Sequence, residues 1–281
     1  MSWGRGPGVS VFADHLFAGK VAVVTGGGTG LGREVALSFA ALGASVIIAG
    51  RTQPNLDGVV AAIREGGGSC LAVPTNIRDA DQVEALRDIT YATYGQVDFL
   101  INNAGGQFPS LPSEVSDNGW RAVVDLNLNG TWNMTNRFMQ PMAEAGFGSI
   151  VNVVHTFSFD RGAPMFVHSG AARAGVVSMV KTLAPYLMRH GVTINAFAPG
   201  AFATPGMIVA ELETIGHSEA SFSEEMVTVG SSVRLGTVDE MAAVVLFLCC
   251  PAARYVSGST IIADGTSMQS NWVNFFPEGE M

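Results

Sequence analysis

Residues 20–43 read KVAVVTGGGTGLGREVALSFAALG. The opening KVAVVTG (20–26) is an apolar run without polar alternation, the pattern of a strand buried on both faces. The closing GREVALSFAALG (32–43) carries apolar residues at helical spacing. Between them TGGGTGLG (25–32) places Gly26, Gly30 and Gly32 in the spacing G-x-x-x-G-x-G. A turn from strand to helix needs glycine where φ is positive and where backbone must approach a ligand closely. The helix that follows offers free N–H groups and the positive end of its dipole. Gly26, Thr29, Gly30, Leu31 and Gly32 are therefore expected to cradle a pyrophosphate.

The rhythm set by this unit continues along the chain. Strands are expected at SVIIAG (45–50), SCLAVP (69–74), VDFLINN (97–103), GSIVNVV (148–154), TINAFAP (193–199) and STIIAD (259–264). Helical patterns cover 55–67, 79–95, 117–143, 164–190 and 238–250. Alternation of this kind predicts an α/β fold: a single-domain Rossmann-like doubly wound parallel sheet of about seven strands, flanked by helices. No Pro- or Gly-rich linker interrupts it, so residues 1–281 are read as one domain. Residues 1–16 form an N-terminal extension and 269–281 a C-terminal tail. Residues 205–232 break the rhythm and are expected to form a mobile lid on the substrate side.

Composition excludes some partners. Acidic residues number 24 against 15 basic, for a net charge of -9, and only Lys20 and Lys181 are lysines. Non-specific binding to nucleic acid or to an anionic membrane needs clustered basic residues, so neither is expected. Cys70, Cys249 and Cys250 have neither metal-ligand nor disulfide spacing and are expected as buried free thiols; no metal is expected. The N-terminus lacks a secretory signal pattern, and no apolar stretch reaches the roughly 20 residues of a membrane span. The expectation is a cytoplasmic protein acting on a small molecule.

The second strand ends IIAGRT. An acidic residue here would favour NAD by binding the adenosine ribose; Gly50 and Arg51 stand here instead. A guanidinium suits a 2′-phosphate, which predicts NADPH/NADP+ as cofactor.

Further landmarks follow: NNAG (102–105) after the fourth strand, NLNGTW (127–132), and PGAFAT (199–204) after the sixth. With the glycine turn they resemble the short-chain dehydrogenase/reductase family over roughly residues 17–268. The resemblance implies a seven-stranded parallel sheet and an oligomer, a homotetramer or homodimer, with the long helices 117–143 and 164–190 at the interface. It implies that Asn76 and Ile77 flank the adenine and that Asn103, Ala104 and Gly105 line the adenosine side. Pro199, Gly200, Phe202 and Thr204 would hold the nicotinamide carboxamide, and Asn127 would be the family's active-site asparagine.

One landmark departs from the family. Where it carries Tyr-x-x-x-Lys, the stretch HSGAARAGV (168–176) has Ser169 and Arg173, and no tyrosine lies between Tyr94 and Tyr186. The family's serine position falls near His155, Thr156 or Ser158. Reducing a ketone creates a strongly basic oxygen that needs a placed acid. Reducing an enoyl thioester spreads the charge onto the thioester oxygen, where hydrogen bonds suffice. GGQF (105–108), TNIR (75–78) and VHSGAARAGV (167–176) resemble the peroxisomal trans-2-enoyl-CoA reductase branch, which neighbours the 2,4-dienoyl-CoA reductases. The tyrosines of those relatives are replaced here by Phe157 or Ser158 and by Val177.

Ser169 and Arg173 are one helical turn apart, hence on one face. Ser169 would donate to the substrate oxygen and Arg173 would hold the nicotinamide ribose. His155 or His168 would supply a proton near neutral pH. Three readings remain open. The first is an NADPH-dependent reductase of an enoyl or dienoyl thioester, with an acyl-CoA or other thioester as substrate; it is the reading that best fits the missing tyrosine. The second is an atypical alcohol/ketone oxidoreductase on a bulky or CoA-linked substrate. The third is a non-catalytic NADP-binding protein.

Overall fold

A computed structural model describes residues 11–158, 162–202, 204 and 234–266. The expected lid (205–232) and tail (269–281), and most of the N-terminal extension, lie outside the described residues. Seven parallel strands form one sheet in the order β3-β2-β1-β4-β5-β6-β7. They are β1 (Val21–Thr25), β2 (Ser45–Gly50), β3 (Ser69–Pro74), β4 (Phe99–Asn102), β5 (Gly148–Val153), β6 (Val192–Pro199) and β7 (Thr260–Ala263). The helices are α1 (Gly30–Ala41), α2 (Gln53–Glu65), α3 (Ala80–Tyr94), α4 (Asp117–Val124), α5 (Gly130–Ala145), α6 (Val167–Arg189) and α7 (Val238–Cys249).

The continuous apolar strands follow from two cores, one on each face. Val24, Ile48, Ile101, Val151 and Phe197 pack on one face with α1, α2 and α7. Their neighbours Val23, Ile47, Leu100, Ile150 and Ala196 pack on the other with α3, α5 and α6. Successive side chains point to opposite faces, so a strand covered on both sides must be apolar throughout. Phe17, Phe39 and Phe99 meet edge-on and stacked, with centroids 5.0 to 5.4 Å apart. All three cysteines are buried and free. Among the described residues no helix is long and apolar enough to cross a membrane.

Inside the apolar sheet runs a polar ladder. Asn102 Nδ2 donates to Asn152 Oδ1 (2.9 Å), Asn152 Nδ2 to the Asn195 carbonyl (3.2 Å), and Asn195 Nδ2 to the Val256 carbonyl (2.8 Å). It ties β4, β5 and β6 across the sheet.

Two long helices expected from the sequence are interrupted. The 117–143 pattern divides into α4 and α5 around a π-helical turn, Asp125–Asn129. The 164–190 pattern opens with a 3-10 turn, Pro164–Phe166, before α6 begins. Proline at the first position starts a helix, but lacks an N–H for its ladder.

Candidate active site

The strand order reverses direction at β1 and β4, and the crevice beyond their C-terminal ends is where open α/β sheets take ligands. An open groove of about 190 Å³ lies there, lined by Gly26, Gly28, Thr29, Arg51, Asn55, Thr75, Asn76, Ile77, Ala104, Gly105 and Leu126, among others. Gly26 has φ +66, which only glycine adopts without strain. Thr29 caps α1 in extended backbone with no side-chain hydrogen bond, leaving the first-turn amides for a ligand. Gly32 packs under the Gly26 carbonyl, and Leu31 is buried in the core.

Arg51 is exposed on the groove wall. Ile77 is buried beneath Gly130, while its carbonyl accepts from Asn133 Nδ2 at 3.0 Å. Asn103 is half-buried at the end of β4, beside Ala104. Its Nδ2 donates to the Thr25 carbonyl (2.9 Å), and Thr25 Oγ1 accepts from the Asn103 and Ala104 amides (3.0 and 2.9 Å). Asn103 therefore ties the end of β4 to β1, and Ala104 and Gly105 face the ligand space. Gly28, Asn55, Thr75 and Leu126 are not singled out by the sequence; Gly28 alone carries a signal, as the third glycine of its run.

Beyond the groove, Gly105 is enclosed by two side chains. A Cβ there would lie 2.5 Å from Arg173 Nη2 and 2.7 Å from Asn127 Oδ1. Asn127 sits in the π-helical turn, where it accepts from the Gly106 amide (3.2 Å) and donates to the Gly106 and Val123 carbonyls (2.7 and 2.9 Å). Arg173 is buried on α6 and donates through Nη1 to the Val153 carbonyl at 2.9 Å. β4, β5 and α6 are thus joined at one point.

The turn after β5 packs on the start of α6. Ser169 is 1% exposed, and among the described residues its Oγ has no hydrogen-bond partner; the same holds for Ser158 Oγ and His155 Nδ1. His155 stacks on Phe157 at 4.6 Å. Burial, with the Arg173 charge adding, pushes its pKa down to about 3. His168 is fully buried, meets Phe108 edge-on at 4.5 Å and accepts the Ser169 amide through Nδ1 at 2.8 Å. Burial lowers its pKa too. Its contacts anchor the loop after β4 against α6.

At the end of β6, Pro199 pairs with Ala263, and the Gly200 amide donates to the Ala263 carbonyl at 2.9 Å. Phe202 bridges to Gly236 and leans on the core. Thr204 comes within 3.6 Å of where a Cβ on Gly30 would be, so this loop returns to the glycine turn. Among the described residues no cluster of His, Cys, Asp or Glu could hold a metal.

The glycine-lined groove fits a dinucleotide, and comparison with known proteins agrees. The chain is 34% identical to a 3-oxoacyl-[acyl-carrier-protein] reductase of Synechocystis, over 88% of this chain and 96% of that one. It is 33% identical to a peroxisomal 2,4-dienoyl-CoA reductase of Pongo abelii, over 94% and 88%. Its fold matches a crystal structure of a variant actinorhodin polyketide ketoreductase with NADPH, with TM-score 0.84, 29% identity, and coverage of 91% and 99%. A family model described as short chain dehydrogenase matches residues 20–213. The chain belongs to the short-chain dehydrogenase/reductase family, whose members are oxidoreductases that bind a nicotinamide cofactor.

Proposed function

We propose that the protein reduces the C=C bond of an enoyl or dienoyl thioester with NADPH. One observation carries this reading: the Ser169 hydroxyl is enclosed, without a hydrogen-bond partner among the described residues, one turn before Arg173. No phenol accompanies it. Tyr91 and Tyr94 lie on α3, Tyr186 near the far end of α6, and Tyr255 beyond α7. A hydroxyl of this kind is a poor acid but a good hydrogen-bond donor, which suits charge that rests on an oxygen and is quenched at carbon.

A reduced nicotinamide, when bound, supplies hydride to the β-carbon. The C=C electron pair then moves toward the thioester oxygen, where Ser169 donates a hydrogen bond. The α-carbon takes its proton from water. Arg173 holds the nicotinamide ribose and keeps a fixed positive charge at the site, since a guanidinium does not lose its proton. Asn127 fixes the loop at Gly106 and so the wall that carries Gly105. In this reading the glycine turn holds the pyrophosphate, Arg51 the 2′-phosphate, and Asn76 and Ile77 the adenine. Asn103, Ala104 and Gly105 line the adenosine side, while Pro199, Gly200, Phe202 and Thr204 hold the carboxamide. The family relationship also supports a homodimer or homotetramer formed through α4, α5 and α6.

The names of the 3-oxoacyl-[acyl-carrier-protein] reductase and the polyketide ketoreductase favour a second reading, reduction of a ketone. The test is NADPH oxidation with crotonyl- or decenoyl-CoA beside matched ketones. Turnover of the enoyl thioesters alone supports the first reading, and turnover of ketones alone supports the second. Tight NADPH binding without turnover on any of them would leave a non-catalytic binding protein.

A further inference from the structure

We propose that His168 is a positioning residue that acts through Ser169. Its imidazole caps α6 from within and fixes the turn that carries the Ser169 hydroxyl. The same ring ties that turn to the loop after β4. The inference rests on reading Ser169 as the donor to the substrate oxygen.

The sequence leaves α6 without an ordinary cap. The first four amides of a helix find no carbonyl within it. Ser, Thr, Asp or Asn at the N-cap position usually accepts the amide of the second or third helical residue. Here Phe166 holds that position, and a benzyl side chain accepts no hydrogen bond. Ser169 is the third helical residue. Its amide donates to His168 Nδ1 at 2.8 Å, so the imidazole stands in for the missing cap. His168 and Ser169 are 0% and 1% exposed, which keeps solvent from replacing that acceptor. Without it the amide is buried unpaired, a cost the turn relieves only by shifting, and the Ser169 hydroxyl shifts with it.

A neutral imidazole carries one N–H, and the nitrogen that accepts an amide cannot hold it, so the proton is on Nε2. The ring also meets Phe108, with centroids 4.5 Å apart and planes at 79°. Phe108 lies on the loop that leaves β4 and carries Gly105. Asn127 grips that loop at the Gly106 carbonyl (2.7 Å), and the Met165 carbonyl, just before α6, accepts the Ser110 amide at 3.1 Å. A Cβ on Gly119 would stand 3.0 Å from the Phe108 ring, so α4 backs it from the other side. His168 completes this set of ties. One side chain sets the place of Ser169 relative to the wall that holds Gly105. A misplacement of about 1 Å at a reacting centre lowers a rate by up to roughly a hundredfold.

The test compares His168→Asn and His168→Gln, each alone and combined with Ser169→Ala, in steady-state NADPH oxidation with thermal melting alongside. Asn places its Oδ1 where Nδ1 stands. Gln matches the ring better in volume but has no acceptor at that position. The expected result for His168→Gln is a loss of about tenfold in kcat with KM unchanged, and His168→Asn should recover most of it. A packing role alone gives the reverse order and overturns the proposal, as does a folded His168→Asn as slow as His168→Gln. With Ser169→Ala neither substitution should lower kcat further, because the group they position is gone; losses that multiply overturn the proposal. So does an acid limb in the wild-type pH profile that vanishes in His168→Asn, because it would make the ring a proton donor. A slow Ser169→Ala beside His168→Gln at full rate strikes His168 alone, whereas Ser169→Ala at full rate ends the reading of Ser169 as well. Should the wild type reduce ketones and not enoyl thioesters, the thioester reading falls while the same comparison, made on the ketone, still decides His168. Nitrogen NMR of the histidines reads the cap without turnover. The Nε2–H tautomer is expected for His168 at pH 7, and the Nδ1–H tautomer or an imidazolium there overturns the proposal.

Discussion

Arg51 reaches the groove from an exposed position on its wall, free of the burial that fixes Arg173. Arg51→Asp should raise the KM for NADPH at least tenfold (roughly 1.4 kcal/mol of binding) and improve use of NADH. Steady-state kinetics with both cofactors checks this, and unchanged NADPH affinity removes Arg51 from the site. Ser169→Ala should lower kcat by about tenfold or more with NADPH binding intact; an unchanged rate dismisses Ser169. His155 gives a prediction in pH. Its folded pKa is about 3 and its unfolded value 6.5. As pH falls below 6.5 the unfolded chain takes up a proton that the folded ring refuses, so stability is lost progressively toward pH 3. Thermal melting of His155→Gln should show a weaker loss over that window. At this scale residue identity is legible in the sequence and orientation is not. Nothing in the local sequence tells that the Asn103 amide donates to the Thr25 carbonyl. Two histidines near the site look alike in sequence; burial, Arg173 and Phe108 separate them.

Elements are legible where apolar periodicity is strong, and their interruptions are not. Residues 117–143 have one helical period, yet the chain inserts a π turn at Asp125–Asn129. That extra width turns Asn127 inward to Gly106, a demand set by the neighbouring loop and absent from local pattern. α1 begins two residues before the pattern suggests, because Gly30 reads as a turn in sequence yet forms its first helical position. The packing of α1 on α7 gives a further prediction. Burial, and then the charge of Asp239 at the start of α7, raise the pKa of Glu34 above 4.5. A raised carboxyl pKa stabilises the fold below the unfolded value, and that contribution is lost as pH rises through the folded one. Glu34→Gln should therefore raise Tm at pH 7 by roughly 2 °C, with the difference vanishing near pH 4. A scanning calorimetry series across pH checks it; a lower Tm at pH 7 would contradict the assignment.

For the whole molecule, alternating strands and helices are enough to give the sheet, since apolar runs with crossover helices leave few parallel arrangements. Long-range clamps are invisible in the sequence. Arg254 donates to the Gly148 carbonyl at 2.8 Å and to the Gly191 carbonyl, and lies over the Phe147 ring, holding the starts of β5 and β6 together. Arg254→Met should cost about 2 kcal/mol in urea unfolding, with NADPH affinity little changed; a loss below a few tenths would assign the clamp no net role. The Asn102–Asn152–Asn195 ladder has a different consequence. Strands that are apolar on both faces carry no alternation to tell one pairing from its neighbour. The ladder supplies index marks. A slip of one residue between β4 and β5, or β5 and β6, would strand buried amides without acceptors while leaving the apolar contacts nearly as good. The molecule thus carries an error-checking device for its own assembly, one that rejects misaligned sheets by polar mismatch.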